Sequence, residues 1–226
     1  MLMDDPTSSL PGRCTDIVTQ KRKKQRVSLF VEGVFLGGFL RIVIENAGVS
    51  KGDLITEERY RELCRLDRQY QLNDQIYRWL AVRNHSSGEI VKKSIAKGYT
   101  TEEAREALKP FLENGYLNDA DFAGIFTSEK KDRYGWGPAK IRRVLAQKGV
   151  KKQYIDSALE NSFSEDHLID ALEQAARSAT RRLMRVEPGL KRRKKLADFL
   201  IRRGFPGHLV MEKCDELLKK LENEEL

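Results

Sequence analysis

The side chains that could do covalent or acid–base chemistry are three histidines, two close aspartates and three cysteines, and their spacing supports none of it. His85, His167 and His208 lie far apart in sequence, and none stands at a metal-ligand spacing from another. Asp119 and Asp121 follow Asn118, where a helix start explains them better than a metal does. Gly135-Trp136-Gly137 continues as Pro138-Ala139-Lys140, which breaks the dinucleotide fingerprint, and no phosphate-loop signature occurs. Cys14, Cys64 and Cys214 are odd in number, widely spaced and without a C-x-x-C pair, as expected of structural thiols in a reducing compartment. The sequence is read as that of a non-enzyme with no metal and no cofactor.

The remaining chemistry is electrostatic binding. The chain carries a formal net charge of +8, and the charge is uneven. From Glu129 to Lys152 stand 9 basic and 2 acidic residues; from Arg177 to Arg203 stand 11 basic and 2 acidic. The tail from Glu212 reverses sign, with 6 acidic residues against 3 basic. Clusters of this kind suit a polyanion, because each phosphate contact releases condensed counterions. The candidate contacts in the first cluster are Lys130, Lys131, Arg133, Lys140, Arg142 and Arg143, with Trp136 among them. In the second they are Arg181, Arg182, Arg185, Arg192, Arg193, Lys194, Arg202 and Arg203. Tyr116 is read as packing at a helix junction, whereas Tyr134 and Trp136 could also serve as contacts.

A repeated helical frame must position these groups. Lys97-Gly98-Tyr99, Lys148-Gly149-Val150 and Arg203-Gly204-Phe205 are three copies of one ending. Ile90, Ile141 and Leu196 each stand eight residues before the glycine, with Ser94, Leu145 and Leu200 one helical turn later. Ala104, Ile155 and Val210 follow six residues beyond it, and Leu108, Leu159 and Cys214 ten beyond. Glycine between two apolar-faced helices reads as a left-handed C-cap. Ser86 with Glu89 and Thr100 with Glu103 fit capping boxes, and Pro138, Pro188 and Pro206 mark helix starts. A further helix precedes each pair, at 70–83, 118–133 and 165–185.

The first part of the chain differs. Val27, Leu29 and Val31 alternate with Ser28, Phe30 and Glu32, Gly33 offers a turn, and strands are expected at 34–36 and 39–44, with another at 16–19. A helix follows Thr56. The expected division is a disordered N-terminus over 1–15, a β segment plus helix over 16–68, and three-helix repeats over 69–115, 116–161 and 162–226. The fold class is mainly α, with three tandem three-helix bundles forming a curved elongated array behind a small antiparallel β segment. Charged residues make up 34% and mean hydropathy is −0.57, no apolar run approaches a bilayer span, and residues 1–5 lack signal-peptide character. The expectation is a cytoplasmic protein without membrane contact.

Gly115-Tyr116-Leu117-Asn118-Asp119 with Phe122-Ala123, then Tyr134 to Pro138, Ile141, Leu145 and Lys148-Gly149, resemble the RecX family of recombinase regulators. Glu89-Ile90 to Tyr99, Leu200 to Phe205 and the Gly52-Asp53-Leu54 turn fall in the family's order, so the resemblance covers residues 16 to 220. It departs at Asn118, where the family usually has Asp, and at Ser94. The resemblance implies a non-enzymatic inhibitor of the RecA recombinase, acting in DNA recombination, repair and the SOS response. It implies a monomer lying in the groove of the RecA–DNA filament, with weak, sequence-independent binding of single- or double-stranded DNA. Filament growth, ATP hydrolysis, strand exchange and coprotease activity would then fall. The alternative is a helix-turn-helix-like DNA-binding protein without a recombinase partner. Against it, segments 101–111 and 152–161 are acidic or mixed and resemble no recognition helix.

Overall fold

The structure is a computed structural model and describes residues 6–224. It divides into two units, residues 1–82 with 100–107, and residues 83–99 with 108–226.

The first unit opens with a short 3-10 turn, Pro6–Ser9, and an antiparallel sheet. Strands β1 (Gly12–Thr19), β2 (Arg26–Val31), β3 (Val34–Leu40) and β4 (Leu54–Ile55) lie in the order β3-β2-β1-β4. Alternation works as expected in β2, where Val27, Leu29 and Val31 are buried in one core with Cys14, Leu36, Phe39, Ile55 and Leu63. Three expectations need correction. β1 begins at Gly12, inside the stretch read as disordered, because Cys14 enters the core; residues 1–5 lie outside the described residues. The strand expected over 39–44 ends at Leu40, whose partner Arg26 is the first residue of β2. With no strand left to pair, the chain turns into helix α1 (Arg41–Asn46) and buries Val43 and Ile44. Finally, the helices expected after Thr56 and over 70–83 are one 26-residue helix, α2 (Glu57–Val82), which contains neither Gly nor Pro to break it. Asp67 on α2 is buried and accepts from the Leu40 amide (2.6 Å), Gln71 (2.6 Å) and Arg26 (3.1 Å), tying helix to sheet.

The second unit is helical: α3 (Ser87–Ala96), the end of α4 (Thr101–Glu113), α5 (Asp119–Tyr134), α6 (Pro138–Gln147), α7 (Lys152–Ser162), α8 (Glu165–Arg177), α9 (Thr180–Leu183), α10 (Leu190–Arg203) and α11 (Gly207–Glu224). The helix expected over 165–185 breaks into α8 and α9. Ser178 donates to the Ala175 carbonyl (2.6 Å), a local bond that competes with helix continuation. Asn118 caps α5, accepting from the amides of Ala120 (3.0 Å) and Asp121 (3.2 Å). Both capping boxes form, Ser86 with Glu89 and Thr100 with Glu103.

The repeat pattern holds in detail. Ile90, Ile141 and Leu196 are fully buried, as are Ser94, Leu145 and Leu200. Ser94 fits a leucine position because its hydroxyl donates to the Ile90 carbonyl (2.9 Å). Gly98, Gly149 and Gly204 have φ of +88°, +79° and +94°. At each, the next residue's amide reaches back five residues: Tyr99 to Ser94, Val150 to Leu145, Phe205 to Leu200. These are three Schellman caps, which only a residue free to take positive φ completes without strain. α5, α6 and α7 close on Phe122, Ile141, Leu145, Ile155 and Leu159, and the last repeat on Leu172, Leu183, Leu196, Leu200 and Val210.

Candidate nucleic-acid interface

Within the second unit, helices α10, α6 and α3 meet end to end. The carbonyl of Arg203, at the C-terminus of α10, accepts from the Gly137 amide at the start of α6 (2.8 Å), and the Gly204 carbonyl accepts from Ala139 (3.0 Å). The carbonyl of Lys148, at the C-terminus of α6, accepts from the Ser86 hydroxyl at the start of α3 (2.6 Å). Each contact satisfies helix-end groups that have no partner inside their own helix. The backbones approach so closely that side chains do not fit. A Cβ on Gly88 would stand 2.6 Å from the Gly149 Cα, and one on Gly204 would stand 2.4 Å from the Lys140 nitrogen.

At the α3–α6 joint a carboxylate sits among the cations. Glu89 accepts from Lys148 (2.7 Å), from both terminal nitrogens of Arg83 (3.2 Å each) and from the Ser86 amide (3.2 Å). Burial pushes the Glu89 carboxyl up, but the bonds from Arg83 and Lys148 outweigh it and hold the group down at about 2. His85 is buried beside it, with Nδ1 2.8 Å from the Arg83 carbonyl and Nε2 2.9 Å from Lys93. Nδ1 therefore carries the proton, and burial pushes the imidazole pKa down.

At the α6–α10 joint no ion pair to an acid forms among the described residues. Lys140 lies 4.2 Å over the Trp136 ring, and burial followed by the charges of Arg203 and Arg143 pushes its pKa down. Arg203 donates to the Tyr134 carbonyl, and its guanidinium stands 4.9 Å over Phe199. Arg182 approaches the same ring at 5.1 Å. Ser178, Arg181, Arg182, Arg185, Phe199 and Arg203 line an open depression of about 380 Å³. Arg203 thus joins the two basic clusters into one surface that also includes exposed Arg143, whose charge reaches Lys140; Arg202 is exposed as well.

The other candidates lie differently. Lys130 sits 4.3 Å over Tyr134 and pairs with Glu129, and Lys131 donates to the Ser162 carbonyl (3.3 Å). Arg133 and Lys194 are exposed and carry no ion pair among the described residues. Arg142 is engaged by Asp156, and Arg193 by Asp215 (2.7 Å). Arg192 does not belong to the surface: it is 7% exposed, donates twice to the Val186 carbonyl (3.0 and 2.7 Å) and once to Glu222 (2.5 Å). Its charge serves packing of the last repeat. Phe199 and Ser178 were not legible as part of the surface, since an apolar ring beneath two guanidiniums looks in sequence like any core position.

Groups weighed for catalysis are occupied elsewhere. Asp119 accepts from the Ser87 amide (2.8 Å) and Asp121 from Asn118 (2.8 Å), and no His/Cys/Asp/Glu group among the described residues could hold a metal. Cys14, Cys64 and Cys214 are free thiols. No described helix is long and apolar enough to cross a membrane.

Models of the second and third three-helix domains of RecX match residues 118–159 and 165–213. A regulatory protein RecX from Clostridium perfringens (strain SM101 / Type A) is 26% identical over 215 residues, 95% of this chain and 98% of its own. One from Listeria monocytogenes serotype 4b (strain CLIP80459) is 24% identical over 93% of this chain and 77% of its own. A crystal structure of regulatory protein RecX superposes with a TM-score of 0.71 at 22% identity, covering 91% of this chain and 99% of that one. RecX from Lactobacillus salivarius gives 0.58 at 15% identity over 70% and 98%. At those identities the two solved structures speak to the fold.

Proposed function

The chain belongs to the RecX family of regulatory proteins, and from that premise we propose that it restrains the RecA recombinase by binding the RecA–DNA filament through the basic surface of its second and third repeats. The family carries a general RecA-regulatory, non-enzymatic role; the mode of binding is our reading. One observation supports it most: Lys140, Arg143, Arg203, Arg182, Arg181 and Arg185 surround a repeat joint, and none of them pairs with an acid among the described residues. A polyanion with regularly spaced phosphates supplies the missing charge, and a filament groove offers phosphates beside protein surface. The ligand then lowers filament growth and, with it, ATPase, strand exchange and coprotease activity. A sequence-reading repressor is less well supported, since the third helices α4, α7 and α11 carry Glu102, Glu103, Asp156, Glu160, Glu212 and Asp215.

The test is RecA ATP hydrolysis on single-stranded DNA with and without this protein. Wild type should inhibit, and reversing Arg181, Arg182 and Arg185 together should weaken inhibition, with the difference shrinking as salt rises. Full inhibition by the triple variant would remove this surface from the mechanism.

A further inference from the structure

Glu89 and Lys140 occupy the same position in successive repeats, each nine residues before its glycine, and Lys148 and Arg203 likewise, each one residue before. The two joints share their backbone construction but not their charge. In one, a carboxylate sits between the cations Lys148 and Arg83. In the other, the carboxylate position holds Lys140, whose backbone stands against Gly204 and whose ammonium feels the charges of Arg203 and Arg143. Like charges so close cost energy unless an anion enters. We propose that the α6–α10 joint is a built oxyanion site, in which a nucleic-acid phosphodiester takes the place that the Glu89 carboxylate fills at the α3–α6 joint. This deepens the functional reading above and rests on it for the nature of the ligand.

Three features select a phosphodiester over a single carboxylate. The site offers three cations, more than one carboxylate neutralises. Arg181, Arg182 and Arg185 lie around the adjoining depression, where a neighbouring phosphate of the same strand meets charge. Trp136, partly exposed beneath Lys140, provides a ring face of the kind on which bases stack.

The experiment uses the full chain and a fluorescent thymidine oligonucleotide, with anisotropy read across a salt series. Lys140→Glu places the internal acid at the second joint. It should weaken oligonucleotide binding at least tenfold and flatten the salt dependence, while the melting temperature in low salt stays level or rises. Lys219→Glu, on exposed α11, makes the same change of net charge and should bind within twofold of wild type. Lys140→Gln, which adds no charge, keeps the test valid should Lys140→Glu unfold, and should weaken binding severalfold. Equal binding by the Lys140 variants and wild type, or equal loss in Lys219→Glu, overturns the site. Competition by millimolar inorganic phosphate beyond that of chloride at matched ionic strength would assign the site to free phosphate and overturn the nucleic-acid assignment. Wild-type inhibition of RecA persisting alongside an unaffected Lys140→Glu would sink this inference and leave the filament reading standing; a wild type that neither binds the oligonucleotide nor inhibits RecA would sink both.

Discussion

The two joints of the helical unit solve one packing problem with opposite electrostatics. Both seat a helix start against a Schellman glycine, and in both the carbonyl just before that glycine accepts a hydrogen bond from the incoming helix start. One closes on its own carboxylate; the other presents cations with no acidic partner among the described residues. The comparison teaches that glycine permits the close approach at each joint, which leaves the charged side chains around it free to differ from one copy to the next.

The sharpest way to break this comparison is to force the backbones apart. Gly149→Val and Gly204→Val should each destabilise by more than about 3 kcal/mol, since strain at positive φ adds to overlap with backbone 2.4–2.7 Å away. Gly98→Val, with no atom within 4 Å of its Cβ, should lose only the conformational part, about 1–2 kcal/mol. Urea unfolding of the three variants measures the difference; three equal losses would mean that the close approach contributes nothing. Arg192 stands at the position that Ser86 and Gly137 occupy at the joints, yet in the last repeat it caps its own bundle. Arg192→Ala should cost about 2–3 kcal/mol, through the bonds to Val186 and Glu222, with DNA affinity preserved below the melting point.

Acidity separates the joints next. Glu89 is held at about 2 in the fold against an ordinary 4.5, so its contribution is complete above pH 4.5 and is lost as pH falls toward 2. The shift corresponds to about 3 kcal/mol at most. Glu89→Gln should be less stable at neutral pH by roughly 2 kcal/mol and should lose this part of the acid slope, as thermal melts at pH 2.5 to 7 would record. An unchanged slope would show that Glu89 does not hold the first joint together. The smallest effect belongs to Ser94→Ala, within about 1 kcal/mol of wild type in urea, because the lost bond is internal to one helix turn.

What the sequence made legible was local. Glycine at the end of an apolar-faced helix fixes the C-cap by chain geometry alone, so Gly98, Gly149 and Gly204 could be read without knowing their neighbours. The meeting of Gly88 with Gly149, or of Gly137 with Gly204, depends on residues far apart in the chain and leaves no local mark. The basic clusters were visible as composition, but composition does not separate Arg192, folded into its bundle, from exposed Arg202. The end of β3 at Leu40 was hidden for a related reason: Val43 and Ile44 suit a strand, and only the length of β2 denies them a partner.

Helix α6 carries Gly137 at its start and Gly149 at its end, so it serves both joints at once. Each residue of an α-helix advances by roughly 100° around the helix axis. One inserted residue would therefore swing one end out of phase with the other and unseat a joint, however well the added residue favoured helix. Seven would bring the ends back to within roughly 20° of alignment. The span between these two glycines is governed by angle before length, in the manner of a keyed shaft.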